Sequence, residues 1–151
     1  MTPNFHSELE EHFYAYLLNR GYPRDSILFE VRLGDRHRPD FAVTDLSRDQ
    51  HIAFFEMKAQ ITPATQSRIF EQIKAYSEAA KAVGAPCYLV TPAKSPTFEE
   101  PFDFYYVDKD NNVQQLAKEL FPSYPSLASN SAATKKSRSR RILSRRRIIF
   151  S

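Results

Sequence analysis

The chain contains 151 residues, 42% of them hydrophobic and 13% aromatic, which is enough to build one packed domain. It has no run of 18 apolar residues, and its first residues lack the basic and apolar blocks of a secretory signal, so we expect no membrane span and a cytoplasmic location. Eight Lys and Arg residues and no Asp or Glu lie in 135–151, so the net charge of +3 combines a strongly basic end with preceding residues at −5.

The first predicted element is a helix over 4–20, where apolar residues recur at helical spacing. Ser7 and Glu10 resemble a capping box, which satisfies backbone N–H groups in the first helical turn. Gly21 favours the end of the helix, because glycine readily adopts the left-handed conformation found there. We therefore expect an amphipathic helix that buries one face.

Three strands are predicted next, and they are connected by short polar turns. Segment 27–33 alternates apolar and polar residues, 38–43 is entered through a proline, and 51–58 has an apolar run that indicates burial on both faces. Short connections favour antiparallel pairing, so these strands are expected to form a meander.

A long helix is predicted from Thr62 to Gly84, followed by strands over 86–91 and 102–108 and a short helix over 113–121. The long helix is a crossover connection, so the fourth strand is expected to run parallel to the third. The element order α-β-β-β-α-β-β-α predicts an α/β fold, a small mixed sheet flanked by helices.

The composition also predicts the boundaries of the folded part. We expect a domain over 1–122, a linker rich in Ser, Ala and Pro over 123–134, and a disordered basic tail over 135–151. The tail can contact nucleic-acid phosphates through residues such as Arg140, Arg141 and Arg145, or it can be a solvated terminus without a specific role. A weak membrane-surface patch at its apolar end is a third interpretation.

Two carboxylates and one lysine are predicted to meet on the sheet. Side chains alternate along a strand, so Glu56 and Lys58 lie on the same face of the third strand. If the second and third strands form a hairpin, Asp40 lies beside Glu56. Buried charges of this kind are unfavourable unless they are paired or bind a metal.

This set of groups suits phosphodiester hydrolysis. Two carboxylates can bind Mg²⁺ or Mn²⁺ and leave positions open for water and phosphate. A nearby lysine can orient the attacking water or stabilise the developing charge. The alternative interpretation is structural, with Asp40 at a strand end and Glu56 and Lys58 forming a surface ion pair.

The arrangement resembles the PD-(D/E)xK nuclease superfamily. Pro39-Asp40 is followed after fifteen residues by Glu56-Met57-Lys58, and a segment with Gln72 and Tyr76 resembles the QxxxY motif of the RecB-like branch. The opening SELEEHFYAYLLNRGY resembles the first helix of the N-terminal nuclease domain of type I restriction enzyme R subunits. The resemblance covers about residues 5–110, implies a restriction-endonuclease-like core over 1–122, and does not include the tail.

The resemblance implies roles for further residues. Asp40 and Glu56 would bind the metal, Lys58 would act on the water, and Gln72 would belong to the catalytic set. Glu8 would support the metal site from the first helix, with Glu11 as the second choice, although an acid there also simply favours the helix dipole.

Other residues are expected to meet nucleic acid or to have purely structural roles. Arg36 and Arg38 precede the Pro39-Asp40 pair and can contact the phosphate backbone or form an ordinary exposed loop. Tyr76 can contact DNA or position the metal site, but it also lies on the apolar stripe of its helix and can be a core residue, with Gln72 merely beside it.

The predicted function is therefore a Mg²⁺-dependent or Mn²⁺-dependent deoxyribonuclease, with DNA as substrate. The chain has no room for the ATP-driven motor of an R subunit, so it could act as a stand-alone nuclease, be a fragment, or work with other restriction or defence subunits. A homodimer would suit double-strand cutting, and no membrane partner is expected. The alternatives are a non-catalytic nucleic-acid-binding module and a protein-interaction module on the same fold.

Overall fold

The computed structural model describes residues 7–129. Helix α1 spans Glu8–Asn19, and it is followed by strands β1 (Ile27–Phe29), β2 (Phe41–Asp45) and β3 (Gln50–Met57). Helix α2 (Gln66–Ala82) leads to β4 (Cys87–Pro92), β5 (Phe102–Val107) and β6 (Val113–Leu116), with short 3₁₀ turns at Arg24–Ser26 and Lys118–Leu120. The mixed α/β fold predicted from the sequence is confirmed.

The six strands form one sheet in chain order, β1-β2-β3-β4-β5-β6. The first three strands pair antiparallel, and β3 and β4 pair parallel, as the short turns and the helical crossover predict. Both remaining pairs are antiparallel.

Helices α1 and α2 lie on opposite faces of the sheet. Helix α1 packs through Phe13 and Leu17 on the face that contains Phe41 and Phe55. Helix α2 packs on the opposite face, and its apolar stripe meets Ala42, Phe54 and Leu89 among others. Residues 40, 56 and 58 have the same alternation as Ala42 and Phe54, so they belong to the α2 face.

Helix α1 begins as the capping pattern predicts. The Ser7 side chain accepts a hydrogen bond from the Glu10 N–H at 3.2 Å, and the first turn carries three acidic residues. The predicted start at residue 4 lies outside the described residues.

The predicted last helix over 113–121 is wrong. Val113–Leu116 form strand β6 on β5, and only Lys118–Leu120 make a 3₁₀ turn. The turn before β6 fixes this outcome, because the Asp108 carboxylate accepts the N–H groups of Asp110 and Asn112 at 2.9 Å each and reverses the chain. Pairing with β5 then outweighs the helix preference of the segment.

Boundaries also differ from the prediction, most clearly at the end of β1 and at the end of the packed part. β1 ends at Phe29 instead of Leu33, because Glu30 has a φ of 49° that breaks the strand. The packed part continues past 122 to 129, where Leu127 is buried and the Tyr124 hydroxyl accepts the Leu46 N–H at 3.0 Å. The tail lies outside the described residues, and none of the helices within 7–129 is long and apolar enough to cross a membrane.

Candidate functional site

Strand register brings Asp40 beside Glu56. Phe41 pairs with Phe55 in the last regular pair of the β2–β3 hairpin. One step beyond that pair, Asp40 faces Glu56 across the two strands, on the α2 side of the sheet. Asp40 was predicted inside the second strand, but it lies just before β2 begins, so its side chain is free to turn toward the end of β3.

The three charged groups are held by specific contacts. Asp40 Oδ2 accepts the Met57 backbone N–H at 2.8 Å, and Lys58 Nζ lies 3.4 Å from Glu56 Oε2. Strand β3 is anchored on its other side, where the Lys58 N–H donates to the Val90 carbonyl at 2.9 Å. The predicted set of Asp40, Glu56 and Lys58 is therefore brought together at one end of the parallel β3–β4 pair.

The charge balance of this cluster is incomplete. Glu56 is 7% exposed, and its Oε1 atom is buried and accepts no hydrogen bond from the described residues. Lys58 is more open to solvent, with 28% of its side chain exposed. One partly exposed ammonium group thus faces two carboxyl groups, and a buried carboxylate oxygen remains without a donor.

Both carboxyl groups have raised pKa values. Burial is the main cause of the raised pKa of Asp40, and it outweighs the lowering effect of the Met57 N–H. Burial also raises the pKa of Glu56 to about 7, and the adjacent Asp40 charge adds to that rise, while Lys58 opposes it. Ionising both groups together is unfavourable in the protein alone, so a bound cation would be stabilising at this position.

Glu30 is a nearby acid that the sequence reasoning missed. It follows β1, and its N–H donates to the Asp40 carbonyl at 3.2 Å. Its charge contributes to the raised pKa of Asp40. The signal that could have found it is the β1–β2 register, because Phe29 pairs with Phe41 and the next pair in line is Glu30 and Asp40.

Helix α2 brings Gln72 and Tyr76 to the same face. Gln72 Nε2 donates to the Tyr76 hydroxyl at 3.4 Å, and the Tyr76 ring lies 4.8 Å from the ring of His37, centroid to centroid. Arg36 and Arg38, on either side of His37, are exposed. The charges of Glu56 and Asp40 contribute to the raised pKa of Tyr76, after burial as the main cause.

The remaining predicted residues are not brought to the cluster by any described contact. Glu8 is exposed in the first turn of α1, and Glu11 is exposed one turn later. Glu10 is the buried acid of this helix, at 8% exposure. Because α1 packs on the opposite face of the sheet, a supporting role for Glu8 stays a prediction. Arg140, Arg141 and Arg145 lie outside the described residues.

The donor set suits a hard, partly hydrated cation. Within residues 7–129, no cluster of three or more His, Cys, Asp or Glu side chains has the arrangement of a metal site. Two carboxylates are nonetheless sufficient for Mg²⁺, which usually keeps several waters. The N–H and C=O of one residue in a strand point to the same side. The Met57 N–H points to Asp40, so the Met57 carbonyl oxygen lies on the Asp40 side of β3 as a third oxygen.

A cavity of about 490 Å³ lies elsewhere in the molecule. It is lined by residues at the end of α2 and the start of β4, including Lys81 and Cys87. Glu56 and Lys58 lie at the other end of the parallel β3–β4 pair, since Met57 is aligned with Val90. The carboxylate cluster is therefore not part of this cavity.

Comparison with known proteins gives a structural match without a sequence match. No protein-family model and no curated protein sequence matches the chain. The type IIG restriction endonuclease BpuSI has a similar structure, with a TM-score of 0.50 and 17% sequence identity over 83% of this chain and 15% of that one. The fold is restriction-endonuclease-like.

This similarity supports the fold and does not test the resemblance to the RecB-like branch. The match is to a type IIG enzyme, so the resemblance to type I R subunits stays a prediction. The chain spans only a small part of the BpuSI length, and the similarity concerns that part alone.

Proposed function

We propose that the chain is a metal-dependent nuclease that hydrolyses phosphodiester bonds of DNA. The observation that carries the proposal is the Asp40–Glu56 pair with Lys58 beside it, at one end of the two parallel strands of a restriction-endonuclease-like fold. A buried carboxylate oxygen without a donor is costly, and a cation would satisfy it.

Each residue of the set has a chemical task in this proposal. Asp40 and Glu56 would hold Mg²⁺ or Mn²⁺, and the Met57 carbonyl would add a third protein oxygen. The ion, when bound, neutralises charge on the phosphate and lowers the pKa of a coordinated water. Lys58 would orient the attacking water or stabilise the charge that develops on the phosphate, which its position 3.4 Å from Glu56 allows.

DNA is the proposed substrate because the similar protein is a restriction endonuclease. The exposed Arg36 and Arg38 lie in the loop that leads to Asp40 and would contact the phosphate backbone. No residue of the chain is proposed to read the base sequence of the DNA. We propose that other restriction or defence subunits provide this recognition. A homodimer that cuts both strands belongs to the same proposal.

Cleavage of defined substrates tests the proposal. The purified chain is incubated with supercoiled plasmid, single-stranded DNA and single-stranded RNA in Mg²⁺, Mn²⁺ or EDTA, beside Asp40→Asn and Lys58→Ala variants. Lys74→Ala is the matched control, because Lys74 is a similarly exposed lysine paired with Glu71. We expect metal-dependent DNA cleavage that falls by at least about 100-fold in the two site variants and is unchanged in the control.

Two results would count against the proposal. Cleavage that persists in both site variants would show a contaminating nuclease or a different site. DNA binding without cleavage in either metal, by a folded sample, would favour the non-catalytic binding module.

A further inference from the structure

The β1–β2 loop (30–40) carries Asp40 and is docked on helix α2. Leu33 and His37 form an isolated bridge within it, with the Leu33 N–H donating to the His37 carbonyl at 2.8 Å. Leu33 is 2% exposed and belongs to the same apolar cluster as Ile69 and Tyr76 of α2. The loop is therefore a folded turn with a buried anchor.

Tyr76 contacts the β1–β2 loop at His37, shortly before Asp40. Its ring lies 4.8 Å from the His37 ring, centroid to centroid. Gln72 donates to the same hydroxyl at 3.4 Å. Only Arg38 and Pro39 separate the His37 contact from the carboxylate that would hold the metal.

The burial of Tyr76 argues against a direct contact with substrate. Tyr76 is 8% exposed, and its hydroxyl already accepts a hydrogen bond from Gln72 Nε2. A ring that stacks on a base needs an open face, and here the His37 ring lies against it. A side chain in this position can fix the loop without touching the nucleic acid.

We infer that Tyr76 is a positioning residue that holds Asp40 in place through its contact with His37, with Gln72 orienting its hydroxyl. The inference rests on the proposed function. It replaces the role predicted for Tyr76 from the sequence, which was a direct contact with DNA. Residues that hold metal ligands in place typically change metal affinity by about 10-fold to 100-fold when they are altered.

Two measurements on the full chain test the inference. The first is amide hydrogen exchange of the β1–β2 loop, without metal, and the second is Mn²⁺ affinity by titration calorimetry. We expect Tyr76→Ala to accelerate exchange in 30–40 and to weaken Mn²⁺ binding by at least about 10-fold. Tyr76→Phe keeps the ring against His37 and removes the hydroxyl, so it should give a smaller change in both.

Phe70→Ala is the matched control. Phe70 is also an aromatic residue of α2, but its ring packs at 6.2 Å on Tyr105 of β5, away from the loop. Truncating it removes a comparable ring from the same helix and should leave loop exchange and Mn²⁺ affinity unchanged. DNA binding in EDTA, measured by fluorescence anisotropy, is expected to be the same for wild type and Tyr76→Phe.

The outcomes separate the inference from the proposed function. Unchanged loop exchange in Tyr76→Ala would overturn the inference whether or not the protein binds metal. Unchanged exchange and Mn²⁺ affinity with weakened DNA binding would restore Tyr76 as a substrate contact. A wild-type protein that binds no Mn²⁺ would overturn the proposed function, while the exchange result would still decide whether Tyr76 holds the loop.

Discussion

Glu56 is the residue at which the proposed function and the stability of the protein are in conflict. It is nearly fully buried, its Oε1 atom has no donor among the described residues, and its pKa is raised to about 7. A carboxyl whose pKa is higher in the folded protein than in the unfolded chain destabilises the fold when it ionises. This penalty is absent below pH 4.5, grows between pH 4.5 and 7, and is complete above that.

Glu56→Gln is therefore expected to stabilise the metal-free protein in a pH-dependent way. In EDTA, its free energy of unfolding should exceed that of wild type by on the order of 1–3 kcal/mol at pH 8, and the gain should largely disappear at pH 4.5. Urea denaturation at the two pH values measures the difference. Glu99→Gln, which changes an exposed glutamate, is the control. An equal gain at both pH values would show that Glu56 ionisation is not the cause.

At the scale of elements, the β5–β6 turn shows how local geometry makes 113–116 a strand, although the composition of this segment favours a helix. Asn111 has a φ of 65°, and its N–H donates to the Asp108 carbonyl at 3.0 Å. Asparagine tolerates this left-handed conformation better than most residues other than glycine.

Substitution at Asn111 tests the turn. Asn111→Ala should destabilise the protein by about 1 kcal/mol, and Asn111→Gly should be close to neutral, because only alanine is strained at this φ. Thermal unfolding measures both. Asn112→Ala is the control, because Asn112 is the next residue, its side chain is also exposed, and its backbone φ is not positive. Equal effects of alanine at both positions would contradict the explanation.

Sequence patterns predicted the elements whose periodicity is long and consistent. Helix α2, strand β3 and the hairpin before it follow from such patterns, and so does the meeting of Asp40 with Glu56. The β6 strand could not be predicted in this way, because its helix-favouring residues are overruled by pairing with β5.

Site residues that depend on register or on helix placement were harder to predict. Glu30 approaches Asp40 only because Phe29 pairs with Phe41, which no pattern within β1 reveals. For Tyr76, the apolar stripe indicated burial, but the contact with His37 depends on how the β1–β2 loop folds back. Glu8 was chosen by resemblance alone, and no described contact connects it to the carboxylates.

At the scale of the whole molecule, charge is divided between residues 1–134 and residues 135–151. The eight positive charges of 135–151 contrast with a net −5 in the residues before them. If the tail tracks nucleic-acid phosphates, it supplies much of the salt-dependent affinity, and under the proposed function the carboxylate cluster would supply the chemistry.

Deletion of 135–151 separates these two contributions. We expect weaker DNA binding at low salt and a shallower dependence of affinity on salt, with the slope reduced by up to about 7, while metal-dependent cleavage at saturating DNA persists. Anisotropy titrations at several salt concentrations measure the slope. Replacing the eight basic residues with Gln, at constant length, is the control for loss of chain. An unchanged slope would mean that the tail does not contact phosphates.

The strand order has a consequence for how the molecule forms. Every strand lies beside its neighbour in sequence, and the longest connection between paired strands is the α2 crossover from β3 to β4. Short loop closures carry a small entropic penalty, and low contact order is associated with rapid folding. Asp40, Glu56 and Lys58 all precede β4, so a chain emerging from the ribosome can form the β2–β3 hairpin before the last strands are synthesised, whereas α2 packs mainly on β4 and β5 and docks only when they follow.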